Sequence, residues 1–141
     1  MATETWLRTL LIEAHRAIEE SASSAVEKLA AGRVHMSYPP NAGLSPSEAG
    51  ALTSLKLNPD QISGLRKIMA DVASYPLFQV FCLIDGVTDP VQHSGKWPAL
   101  RLEAAGAKAR AESSMLHDEF FGTYWDWRKI RPETGWKLDS L

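Results

Sequence analysis

The 141-residue chain is 45% hydrophobic and 23% charged, a composition that supports one ordinary globular core and excludes a disordered polypeptide. Fifteen Lys and Arg against seventeen Asp and Glu give a formal net charge of −2, so no general field draws the protein to nucleic acid or to an anionic membrane. The single cysteine, Cys82, closes no intrachain disulfide. The start MATETWLRTLL lacks the basic region and apolar run of a secretion signal. No run approaches the roughly twenty apolar residues of a membrane span, the most apolar being LFQVFCLIDG. These features lead to the expectation of a soluble, cytoplasmic protein folding as a single domain over residues 1–141.

Residues 3–31 read as one long helix. Leu7, Leu10, Leu11, Ala14, Ala17, Ile18, Ser21, Ala25 and Leu29 share a side at helical period, and Glu13, Arg16 and Glu20 are spaced to pair on the wet side. Gly32 supplies a stop, and RVHMSYPPNAGL is a loop. Ser45, Pro46 and Glu48 form a capping-box signature that starts a short helix running to about Leu55. Asn58, Pro59 and Gln61 repeat it, starting a helix with Ile62, Leu65, Ile68, Met69, Val72 and Ala73 on one face that ends near Ser74. Pro76 is then expected at the first turn of a new helix. Leu77, Val80, Phe81 and Ile84 follow helical spacing in a nearly all-apolar run; a buried strand fits the same run, but the Asp85-Gly86 ending favours a central buried helix.

Residues 85–98, DGVTDPVQHSGKWP, form a long polar loop of the kind that often carries function. Leu100 and Leu102, alternating with Arg101 and Glu103, admit a small β element near residues 97–103 before the Ala-rich run AAGAKARAE. A last helix spans roughly Ser113 to Lys129, with Leu116, Phe120, Tyr124 and Trp127 in one stripe and Phe121 and Trp125 broadening it. Residues 132–141 form a tail anchored by Trp136. The fold class is therefore mostly α, a helical bundle of four or five helices.

His117 and Arg128 fall on the aromatic arc of the last helix, where they must snorkel, pair with carboxylates or line a pocket. With Asp85, Asp89 and His93 from the polar loop, His117 makes a candidate catalytic set in which it acts as general base. A metal site is not expected: Asp118 and Glu119 point away from His117 along the helix, and no Glu-x-x-His or Cys-x-x-Cys pair is present. His15 and Glu19, one turn apart, are expected to form an exposed pair. Cys82, inside an apolar run, reads as core rather than nucleophile. The glycines show neither a phosphate-cradling nor a dinucleotide-binding pattern, so no cofactor is expected. The cations from Arg128 to Arg131 complement a helix C-terminus. Half of the aromatic side chains lie between Phe120 and Trp136, and Tyr124, Trp125 and Arg128 are of the types that dominate interface hot spots.

LFQVFCLIDGVTDP (Leu77 to Pro90) and LHDEFFGTYWDWRK (Leu116 to Lys129) resemble a pattern of small bacterial cytosolic proteins that have no assigned activity. The resemblance covers under a quarter of the chain and carries over no catalytic residue. It implies a bacterial protein in which the Asp85-Gly86 turn and the His117 to Arg128 helix belong to one unit. The leading expectation is a non-enzymatic interaction or regulatory module, acting through Tyr124, Trp125 and Arg128 on a protein partner or a second copy. The alternative is a small hydrolase or ligand-binding enzyme with a His117, Asp85 and Asp89 pocket.

Overall fold

Reciprocal caps set two of the four helix starts among the described residues. In a computed structural model that describes residues 2–36, 38–39, 43–100, 102 and 115–132 (backbone only for 2–5), the helices are α1 (Ala2–Ala30), α2 (Pro46–Thr53), α3 (Pro59–Asp85) and α4 (Leu116–Ile130). Ser45 Oγ accepts the Glu48 N–H at 3.2 Å while the Glu48 carboxylate accepts the Ser45 N–H at 2.7 Å. Asn58 and Gln61 repeat the exchange at 2.9 and 2.8 Å, and Pro46 and Pro59 occupy first-turn positions where no amide hydrogen is needed. Gly32, at φ 67°, ends the first helix in the left-handed conformation. Arg16 pairs with both Glu13 and Glu20 on its exposed side.

Pro76 does not begin a new helix; it lies inside α3, which runs unbroken for 27 residues. Proline removes the amide hydrogen that would bond the Val72 carbonyl and crowds that carbonyl with its ring. Val72, Tyr75 and Pro76 are all exposed, so the freed carbonyl lies on the side open to water. Ala70 on one side of the proline and Phe81 on the other are buried in the same core, which holds both halves in one rod. This fusion also overturns the reading that no segment reaches membrane-spanning length, because α3 as a whole is long and apolar enough to cross a bilayer by length and composition.

Helices α1, α3 and α4 pack on one another around Leu11, Ile18 and Ala22 of α1, Ala70 and Phe81 of α3, and Leu116 and Phe120 of α4. Phe120 is fully buried, with the Phe81 ring edge-on at 5.2 Å. Helix α2 buries no residue and is peripheral. The buried face of α1 is Leu11, His15, Ile18, Glu19, Ala22 and Val26, rotated roughly a quarter turn from the apolar side read from the sequence, which leaves Leu10, Ala17, Ser21 and Ala25 exposed. Only one side of the Leu77–Ile84 run is sealed: Phe81 and Cys82 are buried, while Val80 is exposed.

The end of α3 is closed by the loop that follows it. Gly86, at φ 72°, donates its N–H to Leu83 O, and Val87 donates to Cys82 O. The Trp97 indole N–H donates to Leu83 O and the Leu100 N–H to Ile84 O, each at 2.8 Å. A side chain at Gly86 has no room, since its first carbon would lie 2.6 Å from Cβ of Ala99. These bonds replace the expected β element near 97–103: among the described residues there is no strand, and the returning chain satisfies the last carbonyls of α3 instead. The Ala-rich run and the tail with Trp136 lie outside the described residues.

Candidate functional site

Two of the four proposed catalytic side chains meet. Asp85, the last residue of α3, places Oδ2 2.7 Å from His117 Nδ1 and accepts the His117 backbone N–H at 2.8 Å. Helix α4 needs this carboxylate, because its own cap residue, Met115, makes no side-chain cap bond. One carboxylate therefore both caps α4 and fixes the imidazole orientation. The other ring nitrogen, Nε2, lies 3.2 Å from Oδ1 of the exposed Asp118. The Phe78 ring stands edge-on to the imidazole at 6.3 Å. Each nitrogen of His117 thus faces a carboxylate, and the two side chains are only 15% and 10% exposed.

The other two members are not brought to this pair. His93 stands edge-on to Trp97 at 5.6 Å in the loop, and Asp89 is exposed. Trp97 reaches α3 through its indole, so the loop helps to close the helix end. Cys82 is buried beneath, and burial, with the charges of Asp85 and Asp118, pushes its thiol pKa up, away from thiolate chemistry. Among the described residues no three His, Cys, Asp or Glu side chains are grouped to hold a metal ion.

His15 and Glu19, read from the sequence as an exposed pair, are each 6% exposed. His15 Nε2 donates to the Phe120 carbonyl at 2.7 Å, and its ring stacks on Phe120 with centroids 4.7 Å apart. A carbonyl can only accept, so the proton of the neutral ring sits on Nε2 and the Nδ1 lone pair remains an acceptor. Desolvation holds the imidazole pKa below its ordinary value, partly opposed by the bond to Phe120. Glu19 Oε1 accepts from Arg131 Nη1 at 3.0 Å, both side chains being under a tenth exposed. Arg131, read as a cation complementing the dipole of the last helix, instead ties the end of α4 to the middle of α1. The only signal for this core in the sequence was that His15 and Glu19 share the helical face of Leu11, Ile18 and Ala22.

The proposed binding residues lie along α4. Tyr124 is half-buried, its ring edge-on to His15 at 5.6 Å and to Trp125 at 5.4 Å. Trp125 is 52% exposed and carries the Arg128 guanidinium 5.6 Å from its ring centroid. Phe121, 55% exposed, lies against Phe78 at 5.2 Å. A cavity of about 290 Å³ opens where the three helices meet, lined by His15, Ile18 and Glu19, by Lys67, Ala70, Asp71 and Ser74, and by Phe121 and Tyr124. A second, of about 380 Å³, lies between α1 and α4 beside the 2.8 Å ion pair of Arg8 and Asp126. Neither cavity is lined by His117 or Asp85. No family model, no curated protein and no solved structure matches this chain, so the geometry itself carries the functional reading.

Proposed function

We propose that this protein is a non-enzymatic interaction module that pairs with a second copy of itself through an apolar face on α3 and α4. The observation that carries the reading is the state of α3. Helix α3, long and apolar by composition, has only Ala70, Phe81 and Cys82 buried, and leaves Ile68, Val72 and Tyr75, spaced i, i+4 and i+7, more than 60% exposed. Phe121 and Trp125 add two half-exposed rings from α4. Apolar groups in such a stripe favour association over solvation, and burying each of them stabilises a complex by about 1.5–3 kcal/mol before the cost of association. Arg128 over Trp125 supplies the kind of planar cation that interface hot spots use.

The hydrolase alternative has less support. A general base needs a lone pair turned toward a substrate, whereas His117 has a carboxylate at each nitrogen and lines neither cavity. Light scattering at about 10–100 µM, a range that suits a micromolar pair, tests the proposal. The wild type is expected as a dimer, and Val72→Asp with Tyr75→Asp as a monomer of unchanged helical circular dichroism. A monomeric wild type, with cross-linked partners that do not change in Trp125→Ala, Arg128→Ala, overturns it.

A further inference from the structure

The open cavity between α1, α3 and α4 has a floor and a rim of different chemistry. At the floor, His15, Ile18, Glu19 and Ala70 are each under a tenth exposed. The Glu19 charge is neutralised there by Arg131, and the His15 imidazole, whose Nε2 hydrogen is held by Phe120, keeps one acceptor lone pair. Phe121 and Tyr124 supply aromatic walls. A floor of two apolar and two polar side chains, its carboxylate offset by Arg131 and the His15 lone pair left as an acceptor, suits a ring bearing one N–H or O–H better than a bare charge. At the rim stand a cation and an anion one helical turn apart on α3, Lys67 and Asp71, and among the described residues neither is in an ion pair.

We infer that this cavity binds a free aromatic amino acid, ring inward, with its carboxylate on Lys67 and its ammonium on Asp71. The volume, about 290 Å³, is at the small end of ligand pockets and matches a molecule of roughly a dozen non-hydrogen atoms. A phenol or indole ring donates to His15 and lies against Phe121 and Tyr124. The zwitterionic end remains at the mouth, where both of its charges are met without being taken far from water. The inference does not depend on self-association, although Phe121 belongs to both the cavity and that face.

Isothermal titration calorimetry of the full chain with L-tryptophan, L-tyrosine, L-phenylalanine, glycine and tyramine tests it. Saturable one-to-one binding is expected for L-tryptophan and L-tyrosine, several-fold weaker binding for L-phenylalanine, which has no ring donor, and none for glycine. Lys67→Ala and Asp71→Ala change partly or fully exposed side chains and leave the core intact. Each is expected to weaken L-tyrosine about tenfold, the size of one charge-assisted contact, while Lys67→Ala leaves tyramine, which has no carboxylate, unchanged. The absence of binding by every aromatic amino acid at millimolar concentration overturns the assignment, as does affinity that neither rim variant alters. Tyramine binding without L-tyrosine binding also overturns it. The Val72→Asp, Tyr75→Asp chain is expected to keep the site, so loss of the dimer and loss of the ligand read out separately.

Discussion

The single most consequential residue of α1 is His15. Its ring fills core space against Phe120 and its Nε2 satisfies a helix carbonyl, so the native state favours the neutral form. The unfolded chain takes up a proton near the ordinary value of 6.5, and the folded chain only at lower pH. Between those two values protons favour unfolding, so stability is complete above about pH 6.5 and declines as pH falls toward the folded-state value. Urea midpoints measured from pH 7.5 to pH 5 should show this decline. His15→Gln, which keeps a side-chain N–H for the Phe120 carbonyl, should flatten it. An equally steep dependence in His15→Gln would assign the effect to another group.

Among the elements, α3 shows most clearly what local chemistry decides and what it does not. The starts of α2 and α3 were legible because a capping box is a local device: Ser45 with Glu48 and Asn58 with Gln61 need no tertiary partner. The aromatic stripe of α4 was legible for the same reason, through Phe120 and Trp127 at helical spacing. The rotation of α1 was not, because His15 and Glu19 are polar by type and become core only through Phe120 and Arg131, more than a hundred residues away. Pro76 misled in the opposite direction: its local signal to stop is outweighed by packing on both sides. Pro76→Ala restores a hydrogen bond to the Val72 carbonyl in an exposed helix interior, and should stabilise the protein by about 1–3 kcal/mol, read as a rise in urea midpoint. A fall would mean that the proline shapes α3 to fit α1 and α4.

At the scale of the molecule, the Glu19–Arg131 pair joins the first helix to the segment that leaves the last, at 3.0 Å and nearly out of water. Such pairs contribute little net stability relative to apolar packing, yet breaking one side leaves a buried charge. Glu19→Gln should therefore cost about 3–5 kcal/mol in chemical denaturation, and Glu19→Leu combined with Arg131→Met distinctly less. Equal losses in the two variants would show that Arg131 is accommodated without Glu19. The Asp85–His117 contact was half legible, since the aspartate and the histidine were both singled out from sequence. Their joint role as a tertiary cap was not, because a carboxylate thirty-two positions upstream leaves no local trace.

That borrowed cap makes the coil of the last described helix conditional. A fifteen-residue segment is short for independent helicity in water, and this one, although Asp118 and Glu119 stand in its first turn, gets no side-chain cap bond from Met115. Cut free, residues 116–130 would lose the carboxylate that orders their first turn and would sample extended chain. The rings of Phe121 and Trp125 are therefore arrayed on one side only after the long third helix has docked and presented Asp85. On the proposed reading, recognition by this surface would report completed folding: an immature or partly opened chain displays the same side chains in no fixed order.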